Sequence, residues 1–375
     1  MSSLLVYSPK YRDYSYGPFH PLRPTRLHLT HVLMEKYGLL NGPAVSVSEP
    51  SPADRRDLLR VHAEEYLTAL ERVNGGRSFH GALRYGLGHG DNPVFEGVND
   101  WSRLVCGGTL EAVRAVAGGR ALASFHTGGG FHHAHRSRAA GFCYLNDAAV
   151  AIAEQVEEGR RVLYLDVDAH HGDGVQEAFY ATDRVMTVSI HETGDYLFPG
   201  SGYVDEVGEG VGEGFSVNIP LHPGSSDQVF TAGFEAVVPP LLGSFRPDIV
   251  VVQLGVDGMG RDPLAHLMYT TASVEFFLKR VKELYGGPLT VLGGGGYEMD
   301  TVARTWTLAW SILTDQEVTD TLPDEYIEER ARYGATGDGR YRLRDPDPDP
   351  KPDQAEQMRQ LERVLSFLRD RGILP

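Results

Sequence analysis

The sequence predicts an α/β fold in one three-layer domain, with a mostly parallel central sheet and helices on both faces. Three observations lead there. Short apolar runs at 121–125, 161–165, 185–190, 248–254 and 288–292 have the length and the β-branched or Leu-rich content of buried strands. Longer stretches at 104–117, 146–158, 226–242 and 273–284 carry apolar residues at helical spacing, the third with Pro239-Pro240 near its end. The two kinds of segment alternate, as strand–helix–strand units with parallel strands do.

The other segments are read by composition. Residues 1–24 are irregular and aromatic and read as a surface loop, and 75–97, rich in Gly, Asn and Asp, read as a long loop. The Asp-Pro repeat near 344–353 cannot hold a helix and reads as a linker. Beyond it, Met358, Leu361, Val364, Leu365 and Leu368 recur at helical spacing and predict an amphipathic helix packed on the body. The expected division is a main domain over 1–343, a linker over 344–353 and a terminal helix within 354–375.

The bulk composition narrows the function classes. The chain has 375 residues, 41% of them hydrophobic, enough for a large core. A net charge of −16 argues against nucleic acid as a partner, because phosphate binding needs clustered Lys and Arg. It suits solubility and mildly attracts a cationic partner such as a Lys-rich tail. Cys106 and Cys143 alone make no disulfide framework, which fits a reducing cytoplasm. The N-terminal residues lack a signal-peptide core and no apolar run is long enough to cross a bilayer, so a cytoplasmic protein without membrane contact is expected. Oligomeric state is not legible.

In a parallel sheet, ligands bind beyond the carboxyl ends of the strands, so the residues after each run carry the functional reading. After 161–165 comes Asp166-Val-Asp168-Ala-His170-His171-Gly-Asp173. Residues two apart on extended chain face the same way, so Asp166, Asp168 and His170 can offer two hard oxygens and one imidazole nitrogen to Zn²⁺ or Fe²⁺. Asp257, two residues beyond 248–254 and Gly255, is a natural third ligand beside that cluster; three protein ligands leave a position open for water and substrate. Gly128-Gly-Gly-Phe-His132-His133-Ala-His135 follows 121–125. Its adjacent histidines are either further ligands or a base–acid pair oriented by a carboxylate, for which Asp166 and Asp173 are available. His135 is read as surface. Four glycines, 293–296, then bring Tyr297 after 288–292, where a phenol can donate to a developing oxyanion.

Together these pieces resemble the arginase/deacetylase superfamily, and more closely the zinc-dependent histone deacetylases and bacterial acetoin-utilisation proteins. The matching strings run in order from about His20 to Trp310: 128–134, Gly141-Phe-Cys-Tyr-Leu-Asn-Asp147, 166–174, 185–191, Phe198-Pro-Gly200, Leu254-Gly-Val-Asp257 with Asp262-Pro263, and 293–297. The bacterial group fits best, because the family's usual Trp before the histidine pair is Phe131 here.

The resemblance implies a deacetylase of acetylated lysine in a protein or peptide. Asp168, His170 and Asp257 would bind the catalytic metal. His133 would be general base and then acid, held by Asp173, while His132, paired with Asp166, would tune the site. Tyr297 would polarise the acetyl carbonyl. Phe142 and Phe198 would sandwich the lysine methylenes, Leu264 would form a wall, the Gly141 carbonyl would accept the amide N–H, and Asp91 would hold the substrate backbone at the rim. Family sites for K⁺ or Na⁺ would use the carbonyls of Asp166, Asp168, His170, Ser189 and Ile190, and in a second site those of Phe179, Thr182 and Val185.

Three other readings compete. An acetylpolyamine deacetylase suits the acidic surface, but Leu264 stands where polyamine-selecting relatives can carry an acidic gatekeeper. A two-manganese ureohydrolase needs more carboxylates than the chain places here. A binding module without activity would have lost His133, Asp168, Asp257 or Tyr297, and all are present.

Overall fold

Among the described residues, eight strands form one sheet, in the spatial order 45–48, 3–6, 123–126, 289–292, 249–253, 162–166, 185–192 and 216–221, and every neighbouring pair is parallel. The computed structural model describes residues 2–88, 90–335, 340–348 and 353–375. In chain order the elements are β1 (Ser3–Val6), α1 (Thr25–Lys36), β2 (Val45–Ser48), α2 (Arg55–Leu58), α3 (Glu64–Arg72), α4 (Val98–Ala117), β3 (Ala123–His126), α5 (Asp147–Glu157), β4 (Val162–Asp166), α6 (Asp173–Phe179), β5 (Val185–Glu192), β6 (Ser216–Leu221), α7 (Asp227–Phe245), β7 (Ile249–Gln253), α8 (Thr271–Tyr285), β8 (Leu289–Leu292), α9 (Met299–Leu313), α10 (Asp324–Arg332) and α11 (Ala355–Asp370).

The inner strands are buried along their whole length, which is why they read as unbroken apolar runs. Helices α4 and α5 cover one face; α1, α9, α8 and α7 cover the other, with α11 against α7 and β6. The five predicted strands and four predicted helices are all present, shifted by a few residues at their ends. α7 runs on to Phe245 with Pro239 and Pro240 inside it.

Two differences are informative. Residues 1–24, read as a surface loop, contain the fully buried β1 between β2 and β3. Its four residues are too few to show a period. β6 was not expected either, because Pro220 and Asn218 interrupt its apolar pattern; as an edge strand it tolerates them.

Among the described residues of 75–97 the one helix or strand is a short 3-10 helix, Ala82–Tyr85. The predicted linker is described at 344–348 and 353, and its residues 349–352 lie outside the described residues. α11 docks through Leu361, Val364, Leu365 and Leu368, all buried, and the Gln354 side chain anchors its start, accepting from the Ser226 N–H at 2.8 Å and donating to the Gly224 carbonyl at 3.1 Å.

The strand order decides where chemistry can assemble. β3, β8, β7 and β4 are consecutive in the sheet, with His126 opposite Leu292, Leu292 opposite Gln253, and Gln253 opposite Asp166. Their carboxyl ends therefore lie level. The loops that follow them carry all the residues proposed for metal and proton transfer.

Candidate active site

Asp168, His170 and Asp257 are buried, and one donor atom from each lies within 4.8 Å of the others. His170 Nδ1 is 3.2 Å from Asp168 Oδ1 and 2.9 Å from Asp257 Oδ2. Donors about 2.0 Å from one tetrahedral ion are separated by about 3.3 Å, and both separations from His170 Nδ1 are close to that spacing. The outer oxygens are held by backbone: the Gly295 N–H donates to Asp168 Oδ2 at 2.7 Å and the Ala169 N–H to Asp257 Oδ1 at 2.8 Å.

The electrostatics favour a cation at this point. Burial works against ionised Asp168, yet His132 and His170 hold its carboxyl well below the usual range. Burial, and then Asp168, pushes Asp257 up. Burial also opposes charge on His170, but Asp257 and Asp168 outweigh it and raise the ring well above the ordinary histidine value. The donors thus draw a proton into their centre, where a divalent cation would replace it. Two hard oxygens and one imidazole suit Zn²⁺ or Fe²⁺, so the residues fit a metal.

Glycine is required on two sides of this group. A Cβ at Gly255 would fall 1.9 Å from Asp168 Oδ2, and one at Gly295 would fall 1.9 Å from Asp257 Oδ2. Gly295→Ala is expected to displace Asp257 and weaken metal affinity by about tenfold or more, as measured by competition with a chromophoric chelator. Gly243→Ala, whose Cβ would meet open space on α7, should leave it unchanged.

The histidine pair lies against this group without joining it. His132 Nδ1 is 2.9 Å from Asp166 Oδ2, which also accepts from the Tyr164 hydroxyl at 2.9 Å. Asp166 therefore serves His132 rather than the donor triad, while its Oδ1 accepts from the Asp168 N–H at 3.0 Å. Burial opposes a charge on His132, but Asp166 and Asp168 raise it to about 9. His133 Nδ1 is 2.7 Å from Asp173 Oδ1. Burial, then the neighbouring His132, lowers His133 to about 4 against the pull of Asp173. Near neutrality the His133 ring is uncharged; its Nδ1 proton points at Asp173, leaving Nε2 free to accept one.

Tyr297 and the channel residues complete the surroundings. Burial, reinforced by Asp257 and Asp168, keeps the Tyr297 phenol protonated well above its ordinary value, so it is a donor. The Tyr297 N–H donates to Asp262 Oδ2 at 2.7 Å and the Leu264 N–H to Asp262 Oδ1 at 2.9 Å, which ties these two residues together. The Phe142 ring lies 5.7 Å from Tyr297, and Phe198 lies 5.0 Å from His133. Phe142 has a left-handed backbone (φ 69°), fixed in part by the Tyr16 hydroxyl donating to its carbonyl at 2.7 Å. The Gly141 carbonyl accepts from the Cys143 thiol at 3.1 Å. Asp91 is exposed; its carbonyl is 3.3 Å from His20 Nε2, and the His20 ring packs on Phe142 at 4.5 Å. Phe131, in the Trp position, packs on Trp101 at 5.1 Å.

Three residues that support the site went unassigned in the sequence. Buried Arg26 on α1 donates to the carbonyls of Gly296 at 2.6 Å and Gly294 at 2.7 Å, bracing the glycine loop before Tyr297. Asp147 accepts the Gly130 N–H at 2.9 Å and the Phe131 N–H at 2.7 Å, fixing the turn into the histidine pair. Gln253 donates to the Gly130 carbonyl at 2.7 Å. Asp147 stood within a recognised string; Arg26 gave no local signal. His135 was read as surface, but its side chain is only 13% exposed, between Asp173 and Glu177.

A metal-dependent hydrolase is the class this fold and donor set define. A sequence profile of the histone deacetylase domain matches residues 20–313. Histone deacetylase B of Dictyostelium discoideum is 40% identical over 319 residues, covering 84% of this chain and 75% of that protein. Histone deacetylase 9 of Arabidopsis thaliana is 39% identical over 317 residues, covering 84% and 74%. A crystal structure of an HDAC homologue complexed with SAHA aligns with a TM-score of 0.87 at 33% identity, covering 97% of this chain and 99% of that one. The chain belongs to the histone deacetylase family of the arginase/deacetylase superfamily, and it is a metal-dependent deacetylase.

Proposed function

We propose that the chain hydrolyses the acetyl amide of acetyl-lysine side chains in proteins or peptides, with one Zn²⁺ or Fe²⁺ held by Asp168, His170 and Asp257. The observation that carries this reading is the alignment of a three-donor metal group with a neutral, carboxylate-oriented His133 and the aromatic side chains of Phe142 and Phe198. Two aromatic walls suit a methylene chain of lysine's kind, whose terminal acetyl group would reach the buried donors.

When bound, the ion polarises the acetyl carbonyl and makes water easier to deprotonate. His133 takes a proton from the attacking water at Nε2 and returns it to the departing lysine amine. Asp173 orients that ring through Nδ1 and stabilises its charged form. His132, with Asp166, supplies a fixed positive field beside the reacting carbon. Tyr297 donates to the oxygen on which negative charge develops. The Gly141 carbonyl accepts the substrate amide N–H, Leu264 walls the channel, and Asp91 holds the substrate backbone at the rim.

Leu264 favours acetyl-lysine over acetylpolyamine, because an apolar wall gives no counter-charge to a second amine. The kcat/KM for an acetyl-lysine peptide should exceed that for acetylspermidine by more than about tenfold. The reverse preference would overturn this choice of substrate.

Several finer assignments go with this reading. Phe131 favours the acetoin-utilisation branch. Two free buried cysteines suit a reducing cytoplasm, and among the described residues no helix is long and apolar enough to cross a membrane. The carbonyls of Asp166, Asp168, His170, Ser189 and Ile190, and those of Phe179, Thr182 and Val185, would hold K⁺ or Na⁺. Residues 1–343 are assigned as the catalytic domain, 344–353 as a linker, and 354–375 as a terminal helical segment.

A further inference from the structure

His135 has no role in the mechanism above, yet it is built into the site. Its backbone N–H donates to the Arg138 carbonyl at 2.9 Å, and its carbonyl lies 3.1 Å from Nδ1 of buried His62. The ring is thereby held between two carboxylates of α6, Asp173 at the first position and Glu177 one turn on. Nδ1 is hydrogen-bonded with Glu177 Oε2, and Nε2 lies 3.4 Å from Asp173 Oδ2. The guanidinium of Arg136, next in sequence, donates to the Val61 carbonyl at 3.3 Å.

Asp173 consequently divides its oxygens between two rings. Oδ1 takes His133 Nδ1 at 2.7 Å and the Gly174 N–H at 2.9 Å, while Oδ2 faces His135. A carboxylate held on one oxygen alone can still rotate about Cβ–Cγ and carry its acceptor lone pairs away from the ring it orients. A positive charge facing the second oxygen opposes that rotation. Glu177 is 53% exposed, so the series Glu177–His135–Asp173–His133 reaches from solvent to the proposed base.

We propose that His135 is a positioning residue for deacetylation, clamping Oδ2 of Asp173 so that Oδ1 stays aimed at His133. Burial opposes charge on His135, but Asp173 and Glu177 raise it to about 9, so near neutrality the ring is a cation that meets Asp173 Oδ2 as an ion pair at 3.4 Å rather than as a hydrogen bond. The same contacts help hold Asp173 ionised against its burial. The inference rests on His133 as general base.

The test uses the full chain loaded with Zn²⁺. His135→Gln should lower kcat by about tenfold with KM within about twofold, the scale seen when an outer partner of a catalytic group is lost. The low-field NMR resonance of the His133 Nδ1 proton should move or broaden. His135→Lys, which keeps a cation between the carboxylates, should recover most of the rate. A His135→Gln kcat within about twofold of the parent, with that resonance unmoved, would overturn the proposal. If His135→Gln does not fold, Glu177→Gln decides: a fall in kcat of about threefold supports the clamp and an unchanged kcat overturns it. Failure of the underlying reading is distinct, because His133→Ala would then retain activity.

Discussion

His133→Ala is expected to lower kcat for an acetyl-lysine peptide by a factor on the order of 10²–10⁴, the range that a positioned proton-transfer group contributes. The reasoning starts from its surroundings. Burial and His132 keep His133 neutral, lowered to about 4, so an accepting nitrogen is available across the working pH range. Asp173, at 2.7 Å, fixes which nitrogen that is. Because the ring acts on water and the leaving amine rather than on the methylene chain, KM should change little. Steady-state kinetics together with metal analysis check this, since the donors Asp168, His170 and Asp257 are untouched and metal content should be unchanged. Loss of metal with activity would assign His133 to the metal site instead.

Tyr297→Phe should cost about 10²–10³ in kcat, as the loss of one oxyanion donor does. The phenol is half-buried and stays protonated, and its backbone is pinned to Asp262. The substitution removes only the hydroxyl and keeps the ring that packs at 5.7 Å on Phe142, so stability and KM should hold within small factors. A variant with unchanged kcat would remove Tyr297 from the transition state. Equal losses in kcat and metal content would make its role one of holding the metal.

Much of the site was legible because its residues directly continue the strands that carry them. Asp166, Asp168 and His170 leave the end of β4, and the histidine pair follows β3 across a few glycines. Asp257 was weak by spacing and owed its place mainly to the family resemblance. The structure supplies the missing reason, because β7 lies beside β4 and Gln253 pairs with Asp166. Strand order is a long-range property that periodicity does not carry, so the adjacency of β3, β8, β7 and β4 was hidden. So was the buried β1, four residues long. Arg26 and His135 were missed for the same cause: the partners that make them structural, the glycine-loop carbonyls and the carboxylates of α6, come from distant sequence. Gly255 and Gly295 read as loop glycines until the carboxylates packed against them came into view.

The most direct measurement is a zinc titration of the chelator-stripped chain, following acetate release from an acetyl-lysine peptide. Stripped protein should be inactive, turnover should return and saturate at one equivalent of Zn²⁺ per chain, and Asp257→Ala should fail to recover at that dose. Full turnover by the stripped chain, or a requirement for two equivalents, would contradict a single ion held by Asp168, His170 and Asp257.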